Sequence, residues 1–510
     1  MLFNSYAFLF VFLPVALVGF IFAGRFSRPI AGVWLIVCSF VFYGWWNPAF
    51  CFVLAASILF NYAISLLLVR TEGSPRRCNI ILVIGIALNL AALVYFKYLA
   101  WLVGLLDEAF AAGFDVPNIV LPLGISFFTF TQIGYLVDCA TGVARDRNPL
   151  NYVLFVTFFP HLIAGPILHN QDIMPQFASP ATYRWSSTNA AVGSGIFVLG
   201  LLKKGVLADH AGIGVAEAFA HPDGLSLFAA WQASLSYSLQ LYFDFSGYSD
   251  MAIGIARMFN VTLPLNFNSP YKATSVIDYW QRWHMSLTRY LTQYVYTPLA
   301  LTLMRRRRAR GLPINRAAQQ TMRGFCEMIA LPIVVTMTLA GIWHGSGAQF
   351  LMFGLLHAAY LCINHSWRLI FRGGNGPTPG PRTHVANVLL TYSCVLAASV
   401  FFRAPSVGNA LSMLGGMAGL HGTGLAPTVH QVLSTGVDGG VPGAQAGGVA
   451  TFASAARSAL QAIAYLEWFG IMYIIVWALP NTQQIFADRA PGLERASSTR
   501  LPRKSRAAQP

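Results

Sequence analysis

Residues 325–347 read FCEMIALPIVVTMTLAGIWHGSG, an apolar run that ends in a histidine set among glycines. An apolar helix of roughly 20 residues is long enough to cross the hydrocarbon layer of a membrane. The glycines at 341, 345 and 347 each lower helix propensity by about 1 kcal/mol relative to alanine. Irregular backbone at membrane depth is tolerated only where protein buries it or a water-filled cavity solvates it. The stretch therefore predicts a membrane helix that breaks at His344 beside a pore, a funnel or an active site.

The rest of the chain has the same apolar character. Of its 510 residues, 56% are hydrophobic and only 10% are charged, whereas a soluble domain carries about 25% charged residues. Candidate spans lie at approximately 6–23, 31–46, 50–69, 79–105, 120–140, 151–169, 191–208, 227–256, 280–303, 325–344, 348–371, 385–402 and 463–480. Broken or re-entrant pieces among them leave roughly 11 to 13 crossings. We expect an all-α, polytopic membrane protein whose transmembrane or re-entrant helices surround a central funnel.

The net charge of +15 comes from basic residues in the short gaps between apolar runs. With the N-terminus outside, three successive inner loops would hold basic residues, namely Arg25 and Arg28, then Arg70, Arg76 and Arg77, then Arg145 and Arg147. Such loops are typical of the cytoplasmic side of a membrane protein. The positive charge is therefore explained by membrane topology and requires no nucleic-acid partner. Because basic residues follow the first apolar run and none precedes it, we interpret this run as a retained span and not as a cleaved signal peptide.

One domain is predicted for residues 1–487, with its core motifs at 121–404. A stretch at about 421–460, rich in Gly, Ala, Ser and Val and almost free of charge, is expected to be a flexible loop. Residues 488–510 form a basic tail that we expect to be cytoplasmic and disordered. The seven cysteines occur singly, and no HExxH, CxxC, GxSxG or P-loop motif is present. These patterns give no support to a metal site, a hydrolase or an ATPase.

Residues 240–250, QLYFDFSGYSD, place polar side chains in a long apolar segment. An ionisable group at membrane depth costs about 2.5 to 3.5 kcal/mol on insertion scales, so it is a functional candidate by default. Asp244 and Asp250 are six residues apart and would not share one helical face, which makes a carboxylate pair an unlikely arrangement. The alternative is a hydrogen-bonding network that holds neighbouring spans together.

Residues 278–290, DYWQRWHMSLTRY, combine aromatic and basic side chains with a second histidine. On a continuous helix, Trp280, Trp283, His284 and Leu287 would share one face. Aromatic residues beside arginine are also common where a helix lies at a membrane interface. His284 is therefore either a hydrogen-bonded interfacial histidine or part of a site.

Six motifs occur in order between residues 121 and 404, namely LPLGISFFTF, FFPHLIAGPI, LYFDFSGYSDMAIGIARMFN, NFNSPYKATSVIDYWQRWHMSLTRYLTQYVYTPL, GIWHGSG and VFFRA. Together they resemble the membrane-bound O-acyltransferase (MBOAT) superfamily, in its bacterial branch that includes alginate O-acetylation and teichoic-acid D-alanylation proteins. The start, MLFNSYAFLFVFLP, and the late ALPNTQQIF are similar to alginate-type members. The sequence departs from many such relatives after YVYTPL, where it continues with ALTLM and the arginines at 305–308.

The resemblance implies that the two family histidines, of the RWHxSL and WHG motifs, fall on His284 and His344. It also implies a multi-pass protein of the bacterial inner membrane that moves an acetyl group from a cytoplasmic thioester across the bilayer to a secreted or cell-wall polysaccharide. The donor would be acetyl-CoA or another acyl thioester, with no tightly bound cofactor. The final esterification would need a periplasmic or membrane-anchored partner transferase of the SGNH type.

A neutral imidazole can take the proton of an acceptor hydroxyl and return it to a leaving thiolate. We expect His344 to be this base or a covalent relay, and His284 to orient the thioester or to stabilise the developing oxyanion. Six further residues are candidates for substrate binding or for supporting the site, namely Asp244, Tyr248, Asp250, Trp283, Trp343 and Ser286. The arginines at 305–310 either attract the phosphates of acetyl-CoA or set topology.

Two other functional classes remain open on the residues alone. A transporter or channel could use the same intramembrane histidines as a proton relay or a substrate site. A non-catalytic scaffold of an exopolysaccharide complex would tolerate loss of both histidines. Neither class requires covalent chemistry, which separates both from an acyltransferase.

Overall fold

The protein is described by a computed structural model that covers residues 1–493 except 72, 112, 114, 145, 372–379 and 424–466. All regular elements within these residues are helices, which confirms the predicted all-α class. Nearly all of the predicted loop at 421–460, and the tail beyond residue 493, lie outside the described residues.

The described residues before residue 180 form eight helices. They are α1 (Phe8–Phe26), α2 (Arg28–Gly44), α3 (Phe50–Arg70), α4 (Pro75–Phe110), α5 (Ile125–Ala140), α6 (Pro149–Thr157), α7 (Phe159–Leu162) and α8 (Asn170–Ala178). The predicted span at 151–169 is thus broken into two short helices.

The remaining described elements continue the helical pattern. They are α9 (Ser187–Ala211), α10 (Val215–Ala220), α11 (Leu227–Met258), α12 (Val276–Trp280), α13 (Met285–Leu291), α14 (Thr297–Ala309), α15 (Arg316–Gln320), α16 (Met322–His344), α17 (Ala348–Phe371), α18 (Pro381–Arg403), α19 (Val407–Met417), α20 (Glu467–Ala478) and α21 (Thr482–Ile485). A π-turn at Thr292–Tyr296 joins α13 to α14. Short 3-10 turns occupy Pro180–Tyr183, Pro270–Lys272 and Ala487–Arg489.

Six of the described helices are long and apolar enough to cross a membrane, namely α1, α3, α4, α9, α16 and α18. Helices α2 and α20 are apolar but shorter, whereas α11 and α17 have 32 and 24 residues but carry more polar side chains. The expected count of roughly 11 to 13 crossings or re-entrant pieces includes these shorter, broken and polar helices. The chain is a multi-pass membrane protein.

The predicted span at 280–303 begins too early, because helical residues are continuous from Met285 to Ala309 but absent at 281–284. Helix α12 ends at Trp280, and α13 begins only at Met285, after a turn in which His284 has a left-handed φ of 43°. The backbone of an earlier loop holds this turn, because Asn266 accepts a hydrogen bond from the Met285 N–H at 3.0 Å. Trp280 and His284 therefore do not share the helical face that their spacing suggested.

Glycines allow α9 and α11 to approach backbone to backbone. A methyl group at Gly193 would lie 2.5 Å from the Gly254 carbonyl oxygen, and one at Gly247 would lie 2.8 Å from that of Gly200. Small residues at such crossings favour close association of membrane helices. This contact fixes α11, and with it the polar residues of the 240–250 segment.

Helices α16 and α17 form a hairpin around the break at residue 344. Helix α16 ends at His344 and α17 begins at Ala348, which confirms the predicted break. Gly341, however, lies inside α16, where an added methyl group would collide with the Phe350 carbonyl oxygen. Gly341 allows close helix packing. It does not open the backbone, contrary to the expectation from its place in the motif.

Candidate active site

Both motif histidines line one cavity of about 640 Å³. Its walls come from α4, α5, α9, α11, α16, α17 and α18, together with the turn that carries His284. Apolar and aromatic side chains predominate, with a few polar groups among them. This composition is typical of a small-molecule site in which a few polar atoms fix the orientation of a ligand.

His344 is the last residue of α16, and its ring is held by aromatic contacts. The ring centroid lies 4.7 Å from Trp343 and 4.9 Å from Phe402, both edge-to-face, and 6.1 Å from Phe353. The residue is half-buried. Within the described part of the chain, neither of its ring nitrogens has a hydrogen-bond partner. Both nitrogens are therefore available to a substrate.

His284 is held very differently, since only 1% of its surface is exposed. Its Nδ1 lies 3.1 Å from the Asn266 side-chain oxygen, and the Phe245 ring packs edge-to-face against it at 4.8 Å. Its Nε2 is buried and has no partner among the described residues. The Nδ1 atom of this ring is thus held by a hydrogen bond, whereas Nε2 is available to a ligand in the cavity.

Trp343 contacts both histidines. Its ring centroid is 4.7 Å from that of His344 and 6.0 Å from that of His284, and it stacks on Phe130 at 5.5 Å. The indole N–H is buried without a partner among the described residues. Two residues that lie 60 positions apart (344 − 284) are therefore brought together around one aromatic ring.

Two more predicted residues support the turn at His284. Trp283 lines the cavity and stacks on Tyr279, with ring centroids 5.8 Å apart. Ser286 does not line the cavity, but its hydroxyl donates to the Asn266 side-chain oxygen at 2.7 Å and accepts from the Ile167 N–H at 2.9 Å. Its place is behind His284 and not against a substrate.

The polar residues of the 240–250 segment divide between two sides of α11. Asp244 and Tyr248 line the cavity. Asp244 forms an ion pair with Lys204 at 2.7 Å while its side chain keeps 49% of its surface exposed. Tyr248 stacks on Phe3 at 4.8 Å. Both are placed where a ligand in the cavity could meet them.

Asp250 lies away from the cavity, contrary to its grouping with the substrate-binding candidates. Its carboxylate accepts from Lys203 at 2.6 Å, Thr482 at 2.7 Å and Gln483 at 2.9 Å. Six residues along a helix rotate a side chain by roughly 240°, so Asp250 cannot face where Asp244 faces. Its contacts match the alternative that we left open, a network that ties neighbouring segments together.

Lys97 is a cavity residue that sequence reasoning missed. It lies on a π-turn of α4, Val94–Tyr98, and its ammonium donates to the Trp343 carbonyl and to the Ser126 hydroxyl at 3.3 Å. The neighbouring Tyr98 hydroxyl donates to the Ile342 carbonyl at 2.8 Å. Lys97 and Tyr98 therefore cap the last turn of α16, whose carbonyl groups have no hydrogen-bond partner within the helix. A lone lysine in the apolar run at 79–105 was the available signal.

Asn266 and His357 also belong to the site, although neither was among the predicted site residues. Asn266 is fully buried behind His284, and it stood within the quoted NFNSPYK motif without being singled out. His357 is 1% exposed, lines the cavity from α17 and accepts from the Trp280 indole N–H at 3.3 Å. Its distance of 13 positions from His344 (357 − 344) gave no spacing signal, because the two lie on different helices.

The arginine run does not act as one unit. Arg307 is buried, donates to the Pro313 carbonyl at 2.8 Å and pairs with Glu327 at 2.5 Å. Arg305, Arg306, Arg308 and Arg310 are exposed. A structural role therefore accounts for Arg307. For the other four arginines both alternatives stay open, namely attraction of acetyl-CoA phosphates and a role in membrane topology.

An all-α membrane protein with two histidines in one apolar cavity fits the class of intramembrane acyltransferases. The chain belongs to the MBOAT, or membrane-bound O-acyltransferase, family. Residues 138–312 match the family's sequence profile. That region contains the Asp244 segment and His284.

Similarity to individual proteins extends further along the chain. The chain is 36% identical over 452 residues to the peptidoglycan O-acetyltransferase of Helicobacter pylori, and the alignment covers 83% of this chain and 81% of that protein. It is 35% identical over 427 residues to the probable alginate O-acetylase AlgI of Pseudomonas aeruginosa, covering 81% and 74%. The teichoic acid D-alanyltransferase of Bacillus subtilis is 28% identical over 256 residues, covering 48% and 60%. The chain is a membrane O-acyltransferase of the alginate O-acetylase-like branch.

Proposed function

We propose that this acyltransferase moves an acetyl group from acetyl-CoA on the cytoplasmic side of the bacterial inner membrane towards a secreted or cell-wall polysaccharide. The observation that carries the proposal is the meeting of His344 and His284 in one largely apolar cavity, with Trp343 between them. Acyl transfer needs a base at the point where a thioester and a hydroxyl meet. The cavity offers such a point inside the bundle.

His344 is the proposed base. Its ring nitrogens are free of described hydrogen bonds, so one can accept the proton of the acceptor hydroxyl as the oxygen attacks the thioester carbonyl. The tetrahedral intermediate then collapses, the carbon–sulfur bond breaks, and the imidazolium returns the proton to the leaving thiolate. The sum is one ester and one free thiol, with His344 restored. If His344 acts instead as a covalent relay, the same nitrogen carries the acetyl group between the two steps.

The intermediate carries a negative oxygen that needs hydrogen-bond donors. The Lys97 ammonium lies beside the end of α16 and has no carboxylate partner among the described residues. The Gly345 N–H follows the last helical residue, where the backbone is extended with φ −166°, and makes no described hydrogen bond. We assign these two groups to the oxyanion, because both lie next to His344.

The names of two relatives support the proposed acceptor. The two most similar proteins quoted above are named for O-acetylation of peptidoglycan and of alginate, which favours a polysaccharide acceptor. We propose that a periplasmic or membrane-anchored transferase of the SGNH type completes the esterification, and that no cofactor is tightly bound. Asp244 and Tyr248 would contact the substrate at the wall of the cavity.

Membrane vesicles from the cells that make the protein, supplied with radiolabelled acetyl-CoA, provide the test. We expect free CoA to be released and alkali-labile label to appear in the polysaccharide. His344→Ala should abolish both signals at normal protein levels, whereas the matched His221→Ala, at a residue whose side chain is 77% exposed, should not. Full acetylation by His344→Ala would overturn the assignment. A channel or scaffold would release no CoA.

A further inference from the structure

We propose that Asn266 is a positioning residue that fixes His284 with its proton on Nδ1, so that Nε2 presents a lone pair to a hydrogen-bond donor of the substrate. This inference rests on the proposed function, because it concerns the same cavity. It assigns a role to a residue outside the motif histidines. It also decides which of the two roles expected for His284 is chemically available.

The orientation of the Asn266 amide follows from its neighbours. The backbone N–H of Ser286 can only donate, and it points to the Asn266 Oδ1 at 3.3 Å. The Ser286 hydroxyl, which accepts from Ile167, is free to donate to the same oxygen at 2.7 Å. The Asn266 Nδ2 in turn donates to the Ser249 hydroxyl at 3.0 Å. The side-chain oxygen of Asn266 therefore faces His284.

The amide orientation determines the tautomer of the histidine. An amide oxygen only accepts hydrogen bonds, so the His284 Nδ1 at 3.1 Å must carry the proton. A neutral imidazole has a single N–H, and its other nitrogen is then an acceptor. The His284 Nε2 is therefore a bare lone pair.

The same asparagine holds the backbone of the turn. Its carbonyl accepts from the Met285 N–H at 3.0 Å, next to the left-handed φ of His284. A non-glycine residue in this region is strained and persists only where its surroundings determine it. Asn266 thus constrains both the ring and the chain of His284, which leaves the ring one orientation.

A buried acceptor without a partner is costly unless a ligand supplies a donor. The Nε2 atom is such a group, on a residue that lines the cavity. Neutral His284 has no N–H there, so it is unsuited to stabilise an oxyanion, one of its two expected roles. Its remaining role is to orient the substrate by accepting a hydrogen bond. The donor is either an amide N–H of acetyl-CoA or a hydroxyl of the acceptor other than the reacting one, whose single proton goes to His344.

Solid-state NMR of the full chain in lipid vesicles, with 15N-labelled histidine, measures the tautomer directly. The signal of His284 is assigned by its absence in His284→Gln. We expect the proton on Nδ1 and a bare Nε2 in the unliganded protein. A proton on Nε2 would contradict the proposal whatever the activity of the protein.

Two ligand titrations identify which molecule donates the hydrogen bond to Nε2. Coenzyme A alone should shift the Nε2 resonance if one of its amide N–H groups binds there. A tetrasaccharide of N-acetylglucosamine or of mannuronate should shift it if a hydroxyl binds there. A shift with either probe supports the proposal, and no shift with any of them overturns the ligand contact.

Variants of Asn266 test the positioning role in the vesicle assay. Asn266→Asp keeps an acceptor for the Nδ1–H and should retain most activity, whereas Asn266→Leu removes it. We expect Leu to lower kcat by about 10- to 100-fold with little change in KM, as loss of a buried hydrogen bond implies. Equal loss in both variants would indicate a merely structural asparagine. If His344→Ala is inactive while Asn266→Leu is fully active, only this inference fails.

Discussion

The two motif histidines face one cavity but are built in opposite ways. His284 is almost completely buried, sits on a strained turn and is fixed through Asn266 by hydrogen bonds. His344 is half-buried at a helix end, and among the described residues it packs against the rings of Trp343, Phe353 and Phe402. One ring has a single tautomer and a single orientation, whereas the other is free to exchange its proton.

The difference separates orientation from proton transfer. A base must accept and release a proton within one cycle, which favours a ring without a competing partner. A group that orients a substrate must not move, which favours a ring held on several sides. The free histidine therefore suits the chemical step, and the fixed one suits binding.

The largest expected effects are those of replacing each histidine by alanine, and the two variants should differ in stability. Both His344→Ala and His284→Ala should lower acetyl transfer by about 100-fold or more. Only His284→Ala should also lower the free energy of unfolding, by about 1 to 3 kcal/mol, because it removes a buried hydrogen bond and leaves a void. Thermal unfolding of the detergent-solubilised variants measures this. Equal unfolding temperatures would erase the structural distinction between the two sites.

The next effect concerns the hairpin that carries the free histidine. Gly341→Ala places a methyl group against the Phe350 carbonyl oxygen, so α16 and α17 must move apart. We expect a loss of about 1 to 3 kcal/mol in unfolding free energy, together with lower activity. Gly104→Ala is the control, since nothing lies within 4 Å of its added methyl group. If both substitutions behave alike, His344 does not depend on this helix contact.

A smaller effect is expected at the cap of α16. Lys97→Met removes the ammonium from the Trp343 carbonyl, and we expect kcat to fall by about 10- to 100-fold, in line with a lost charged hydrogen bond of about 1.5 to 3 kcal/mol. Tyr98→Phe removes the neutral cap on Ile342 and should have a weaker effect. Lys97→Arg should restore part of the rate. A stronger effect of Tyr98→Phe would show that the charge at Lys97 is unimportant.

The smallest effect is expected at the indole between the histidines. Trp343→Phe keeps an aromatic ring against both of them but removes part of the indole ring system and its N–H, which has no described partner. We expect kcat to change by less than about threefold. A rise in KM for acetyl-CoA with unchanged kcat would reveal instead that the indole N–H binds the donor. Initial rates over a range of acetyl-CoA concentrations distinguish the two results.

Much of the fold was predictable because membrane insertion depends on local sequence. The all-α class and the break at His344 followed from hydropathy and from helix-breaking residues. The turn at His284 was missed because an ordinary helical pattern surrounds it. Its left-handed backbone depends on a contact with Asn266, 18 residues earlier, which no local propensity encodes.

Composition, spacing and motif order are properties of the chain alone, so they were enough to predict a helical membrane protein with two candidate histidines. The packed helices were needed to show that Asp250 belongs to a network with residues 203, 482 and 483, and that Lys97 reaches a carbonyl 246 positions away. The physical reason is that a hydrogen bond depends on distance and direction between atoms. Packing of remote helices sets both.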